Sequence, residues 1–518
     1  MRNTRSNGVV PVALMMLVGV TLLYAAISRG VFLFGDDTIM FQVTESMVER
    51  RSFAVTSPTF DAVATNPTLD AAGFTASAIP GDDGRGYAKY GIGQSLVAIP
   101  AFLFATYPLP HLLVLKIMVD PYGNQLTGTV IYGTSLINPL IGGATVALLF
   151  LLVVELGYRQ RTALVLAGML AVGTLLMHYA GTFLSEPLTA LCLTAVVYGL
   201  LRAQRVAGTD RAIRWLLLSG FAAGLALATK LAIGVALVAP GLWLLWIALR
   251  WERSIGRAAM RMCLAWSGPI ALWLIVVGVY NAVRFGSPFD SGYGAEASAY
   301  TTPLLTGLEG LLLSPGRGMF WYNPPLLLAL VGAVWFGRRY PALALTILGM
   351  LVGVLLLYGR YYVWWGGGVW GPRFLVPLLP LLLLPAAEIV ERAWYWRIWQ
   401  VTVGVIAAAG LLISLLPLLV PFDRYVGEYA ASADRLHAAL WHVGDSPIVV
   451  AMRDLLHGRV TLDVAAVRYA DVRLTILSVV MGIIGLLVIA LTVRRVSRDE
   501  SAARPPLRAM PDTPAASR

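Results

Sequence analysis

The chain has 518 residues, of which 58% are hydrophobic and only 13% charged, proportions that exclude an ordinary soluble globular domain of this size. The formal net charge of +11 comes from basic residues scattered over short joints between apolar runs. That pattern marks membrane topology and not a nucleic-acid surface. Cys192 and Cys263 are the two cysteines, both inside apolar segments, which excludes a disulfide framework and a CxxC metal site.

A spanning helix needs about 20 apolar residues to cross a hydrocarbon core of roughly 30 Å. Runs of this kind predict helices near 9–29, 130–154, 162–178, 187–202, 215–229, 231–249, 263–281, 323–336, 341–358, 374–388, 399–421 and 474–493. The expected fold is therefore all-α and polytopic, a bundle of about 12 transmembrane helices. The first run follows Arg2 and Arg5 and reads as an uncleaved signal anchor with a cytoplasmic amino terminus. With that orientation the arginine-rich joints "RQR" (159–161), "RAQRVAGTDRAIR" (202–214), "RWERSIGRAAMR" (250–261), "GRRY" (337–340) and "ERAWYWR" (391–397) all fall on the cytoplasmic side, as does the carboxyl terminus. One hydrophobic segment, 91–116, breaks this alternation if it spans. Pro100, Pro108 and Pro110 fit a re-entrant or interfacial piece there.

A single membrane domain over 1–498 results, with a disordered cytoplasmic tail over 499–518. Its outer face receives a long first loop (30–129), the loops 282–322 and 359–373, and a stretch at 422–473 that forms a small cap or packs.

Chain order then brings the candidate chemistry. "GDDTIMFQ" (35–42) places Asp36 and Asp37 at the start of a helix in which Ile39, Met40, Val43 and Met47 recur on one face. It reads as an amphipathic juxtamembrane helix on the membrane surface. The two carboxylates there cap a helix dipole, act in catalysis, or together hold a divalent metal. "DDGRGYAKYGIGQ" (82–94) sets Arg85 and Lys89 among Tyr87, Tyr90, Gln94 and four glycines, a cation and backbone N–H set suited to phosphate or to headgroup anchoring. Glu186 precedes Pro187 at a helix start, and it joins the acidic set if its turn abuts the first loop. His178 is a lone histidine and receives no ligand role, and Lys230 sits at an outer turn. "NAVRFGSPFDSGYG" (281–294) and "SPGRGMFWYNPP" (314–325) add Arg284, Arg317, Trp321 and Tyr322. "GRYYVWWGGGVWGPRF" (359–374) offers Trp364 and Trp365 as a stacking floor for a sugar, and Arg373 as a phosphate partner. No Walker A loop, HExxH or Ser/His/Asp set is present.

The order of these features resembles the GT-C superfamily of membrane glycosyltransferases, in particular the bacterial branch with protein O-mannosyltransferases and the lipid A aminoarabinose transferase. The likeness is most specific at "GDDTIMFQVTESMVERRSF" and "YAKYGIGQSLVAIP". The resemblance implies a GT-C-like bundle and transfer of a sugar from a polyprenyl-phosphate donor to an acceptor hydroxyl on a glycan, lipid or protein. The reaction is expected to be inverting, at the outer face of the cytoplasmic membrane. It implies Asp36 or Asp37 as general base, with Glu186 as a second acid. Lys89 falls where aminoarabinose transferases carry a lysine before two prolines, although Tyr90 and Gly91 replace the prolines here. Arg85, Lys89 and Arg373 are then the donor-phosphate partners, and Tyr87, Tyr90, Gln94, Trp364 and Trp365 hold sugar or lipid. No cofactor is expected and the reaction is read as metal-independent, with Asp36 and Asp37 as the one pair that could take a divalent metal. The competing functions are a transporter or flippase of lipid-linked sugars, and a non-catalytic envelope-polysaccharide assembly protein. The transporter or flippase is disfavoured because charges gather at the outer interface and not at the midplane of the spans.

Overall fold

The computed structural model describes residues 6–32, 35–55, 78–119, 125–207, 209–252, 256–422, 425–426, 428 and 432–502. Residues 56–77 of the first loop and the tail beyond 502 lie outside the described residues. The last helix, Val472–Ala502, runs past the expected start of the tail at 499.

Helices occupy every stretch in which apolar runs predict them. Nine among the described residues are long and apolar enough to cross a membrane, and the pair Arg373–Leu382 and Ala386–Ala393, bent by 49°, makes a tenth if it counts as one span. Gln160–Gly173 and Pro325–Arg339, with 14 and 15 residues, are too short at 1.5 Å per residue to cross alone. The helix Gly93–Thr106 has 14 residues, about 21 Å at the same rise. This length suits the interfacial role expected of 91–116.

The helices approach through small residues, as in membrane bundles generally. The first and last helices pack together, and a Cβ at Gly19 would lie 2.9 Å from the Ile489 side chain and 3.2 Å from the Gly485 carbonyl oxygen. Arg257–Phe285 and Val472–Glu500 form the rim, with only 11% of their most apolar windows buried. Their exposed Leu272, Ile275, Ile483 and Leu487 suit a lipid environment.

Two ends of the bundle are chemically distinct. At one, Glu155 pairs with Arg202 at 2.7 Å and with Arg205 at 2.9 Å, and Arg159 with Glu391 at 3.4 Å. These pairs join the arginine-rich joints to one another. The helix Glu186–Arg205 has 20 residues, so Glu186 lies about 30 Å away, at the opposite end.

The first loop is built onto that opposite end. Asp36 and Asp37 lie in the first turn of the helix Gly35–Glu45, as the sequence predicts. This helix does not lie on a surface, because every residue from Asp37 to Thr44 is buried. Ser95 donates to the Met40 carbonyl at 2.8 Å, Thr44 donates to the Ser95 carbonyl at 3.2 Å, and Phe41 packs against Phe32 and Phe102. Thr44, from the polar face expected to meet water, is thus turned to the Gly93–Thr106 helix, while Glu45 pairs with Arg50 at 3.5 Å and Glu49 is exposed. The contacts to Ser95 and Phe102 set the rotation that decides where Asp36 points. The cap region is also anchored: Asp463 pairs with Arg29 at 2.8 Å and with Arg468, and Tyr469 donates to the Gly30 carbonyl at 2.8 Å.

Candidate active site

Four chain segments converge on one cluster of charges. Asp36 opens the Gly35–Glu45 helix, Glu186 opens the Glu186–Arg205 helix, Lys230 follows the Asp210–Thr229 helix, and Arg373 follows the glycine-rich aromatic loop. Arg373 is the bridge. Its Nη2 lies 2.6 Å from Asp36 Oδ2 and its Nε lies 3.0 Å from Glu186 Oε1. Lys230 Nζ lies 3.1 Å from the same Glu186 oxygen, and the Tyr90 hydroxyl donates to Asp36 Oδ1 at 2.5 Å. Glu186 is fully buried and its Oε2 has no hydrogen-bond partner among the described residues.

The two aspartates diverge here. Successive helical residues point about 100° apart. Asp36 faces Arg373 and Tyr90, whereas Asp37 is 1% exposed and accepts from the Thr38 amide at 2.8 Å. Burial works to raise the Asp36 pKa, but the charge of Arg373, hydrogen bonds from Tyr90 and Arg373, and the charge of Lys89 outweigh it. The carboxyl is held below its ordinary range and is ionised at neutral pH.

Lys89 stands beside this cluster, with Nζ 2.9 Å from both carboxylate oxygens of Glu296. The short hairpin of Ala78–Pro80 and Gly86–Ala88, paired Ala78 to Ala88 and Ile79 to Tyr87, delivers it. Arg284, buried at the end of the Arg257–Phe285 helix, donates to the Ala88 carbonyl and steadies the strand. Glycine makes the next step achievable. A Cβ at Gly91 would meet the Thr229 carbonyl oxygen at 2.7 Å, so the Lys89–Tyr90 segment reaches the residue next to Lys230 only without a side chain there. The glycines of "YGIGQ" thus permit close packing against Thr229. Likewise, Gly366 has φ +82° and its position would place a Cβ 2.7 Å from Arg373 Cγ. The glycine-rich loop therefore folds directly over the bridging arginine.

Other candidates fall elsewhere. Arg85 pairs with Asp83 at 2.7 Å in the exposed hairpin turn. Asp83 also accepts from the Arg85 amide and the Tyr87 hydroxyl, and these bonds, the backbone one first, lower its pKa to about 2. Arg85 and Tyr87 thus satisfy the hairpin itself. Gln94 is buried and donates to Asn138 at 3.0 Å, joining two helices. Trp364 is buried against Trp441, with Trp365 at right angles to it and partly exposed. His178 lies 3.5 Å from Arg29, outside the cluster. Lys230 and Glu296 are the members that sequence reasoning passed over. The lone cation between two long apolar runs, in "ATKLAIG", was the available signal for Lys230.

Among the described residues no three His, Cys, Asp or Glu side chains gather to hold a metal. Asp36 pairs with Arg373, and Asp37 accepts from the Thr38 amide.

The long helical bundle with first-loop helices docked on one end defines the chain as a polytopic membrane protein. Its architecture is similar to that of ArnT from Cupriavidus metallidurans in the apo state, with TM-score 0.51, 14% identity, and 96% of this chain and 79% of that one covered. ArnT from the same organism bound to undecaprenyl phosphate matches with TM-score 0.49 and 14% identity, covering 97% and 79%. The Archaeoglobus fulgidus oligosaccharyltransferase in complex with Zn and sulfate matches at TM-score 0.51 and 12% identity, over 79% of this chain and 52% of that one. At such identities the likeness is one of fold. In sequence, residues 118–287 match the dolichyl-phosphate-mannose-protein mannosyltransferase family. Comparison with curated proteins finds no match.

Proposed function

We propose that this protein transfers a sugar from a polyprenyl-phosphate-linked donor to an acceptor hydroxyl, with inversion, at the outer face of the cytoplasmic membrane, and that Asp36 is the general base. The observation that carries this reading is the Asp36–Arg373–Glu186–Lys230 cluster. It gathers two carboxylates and two cations at one end of the bundle, about 30 Å from the arginine-rich joints. The mannosyltransferase-family match over 118–287 and the GT-C fold support the reaction class.

In this scheme the acceptor oxygen attacks the anomeric carbon, the bond from that carbon to the phosphate oxygen breaks, and polyprenyl phosphate leaves. The acceptor proton passes to the Asp36 carboxylate. Lys89 and Arg373 hold the departing phosphate, matching the charge that grows on it. An aspartate tied to arginine is a weak base. When the donor phosphate draws Arg373 toward itself, Asp36 loses its main counter-charge and gains proton affinity as the substrate arrives. Glu186 stays with Lys230 and offers its unpartnered oxygen to a sugar or acceptor hydroxyl. Tyr90 orients Asp36. No step uses a metal.

The test is transfer from a polyprenyl-phosphate sugar by purified protein carrying Asp36→Asn or Asp37→Asn. Asp36→Asn is expected to lose about 100-fold or more in rate, with Asp37→Asn retaining turnover in proportion to its folded fraction. Full activity in Asp36→Asn removes it as the base.

A further inference from the structure

Lys89 is a donor-phosphate partner in the reading above, and its ammonium is already neutralised by this chain. Both oxygens of Glu296 lie 2.9 Å from Nζ. The lysine side chain is 2% exposed and that of Glu296 is 24% exposed, so the carboxylate is the outer member of the pair. The rings of Tyr90 and Tyr293 lie 5.9 and 5.5 Å from Nζ and wall the recess.

The two phosphate partners are held in different ways. Arg373 is engaged by carboxylates that open helices packed into the bundle. Glu296 instead belongs to the single 3₁₀ turn Gly294–Ser298, none of whose residues is buried. This turn opens with Gly294 and comes two residues after Gly292, both with positive φ; a Cβ at Gly292 would meet Ile79 at 2.5 Å, whereas one at Gly294 would touch nothing within 4 Å. Beyond it, the chain is tied down by the Tyr362 amide donating to the Ala299 carbonyl at 2.9 Å. The turn thus lies outside the packed helices as an external strap and reaches the interior through the Lys89–Glu296 ion pair.

We propose that Glu296 is an internal competitor for the donor phosphate: it neutralises Lys89 while the site is empty and leaves, with the Gly294–Ser298 turn, when the phosphate binds. The inference rests on the reading of Lys89 as a phosphate partner. A buried ammonium without a counter-ion is costly, so an empty site needs one. A phosphate with more charge and more acceptor oxygens can replace a single carboxylate. Because the strap lies outside the packed helices, its departure requires no rearrangement of the core. The donor's apparent affinity is reduced by the fraction of molecules in which the pair is open.

The experiment uses the full chain in detergent with undecaprenyl phosphate as probe. Glu296→Gln is expected to bind it about tenfold more tightly than the parent, as when the closed pair holds about nine molecules in ten. Lys89→Gln is expected to lose binding. In the unmodified protein, the probe is expected to speed amide hydrogen exchange over 294–299. Equal or weaker binding by Glu296→Gln, with binding still lost in Lys89→Gln, overturns the competitor role and leaves the phosphate reading standing. Binding unchanged in Lys89→Gln overturns both. If Glu296→Gln does not fold, hydrogen exchange in the unmodified protein decides, and unchanged or slower exchange over 294–299 refutes the proposal.

Discussion

Replacing Arg373 by methionine tests whether the cluster is organised as described. Arg373 carries two short ion pairs, 2.6 Å to Asp36 and 3.0 Å to Glu186, with side chains only 13%, 19% and 0% exposed. Removing one partner of a buried pair costs about 3–5 kcal/mol, because a charge is left uncompensated. Two carboxylates are affected here, but Lys230 still holds Glu186 and Tyr90 still holds Asp36, so the total stays within that range. Adding Asp36→Asn to Arg373→Met removes the orphaned charge and is expected to recover about 1–3 kcal/mol. Transfer activity stays lost in both variants.

The pH dependence gives a second readout, with opposite signs in the two proteins. In the parent the folded Asp36 pKa is lowered, so its contribution is present above the unfolded value near 3.9 and lost only as pH falls below it. Without Arg373, burial, the largest single influence on Asp36, is opposed only by the Tyr90 hydrogen bond and the Lys89 charge, and the folded pKa is expected to rise above the unfolded value. The variant then carries a penalty at neutral pH that is relieved by acid. Thermal unfolding between pH 7 and pH 5 is therefore expected to show the Arg373→Met midpoint rising on acidification, with the Arg373→Met/Asp36→Asn midpoint flat. A single variant as stable as the parent, with no acid stabilisation, refutes the cluster as the organising element.

Lys230→Met is expected to cost about 3 kcal/mol by leaving buried Glu186 with Arg373 alone, and chemical denaturation with a transfer assay reads both effects. Gly91→Val would press a side chain on the Thr229 carbonyl oxygen, 2.7 Å from the first added atom. A loss of about 1–3 kcal/mol and a weakened response to Lys89→Gln should appear in the same binding assay, because the Lys89–Tyr90 segment is displaced. Gly366→Ala strains a φ of +82° and crowds Arg373. Its expected signature is a larger fall in transfer rate than in melting temperature.

Hydrophobic length is additive along the chain and largely indifferent to neighbours, so the apolar runs locate the helices and the membrane class without a structure. Local capping chemistry does the same for Asp36, Asp37 and Glu186, each found in the first turn of a helix. Sequence fixes those termini because a dipole and a proline are felt within one turn. It does not say which aspartate faces the charged cluster. That depends on the rotation of the Gly35–Glu45 helix, set by its contacts with Ser95 and Phe102. Nor does any local pattern join Arg373 to Asp36 across 337 positions, or Lys89 to Glu296 across 207. Such pairs exist only after helices pack and water is excluded, when a carboxylate and a cation at adjoining ends become each other's cheapest solvation. The tertiary structure alone therefore turned two adjacent aspartates into one that faces the charged cluster and one that holds its own helix.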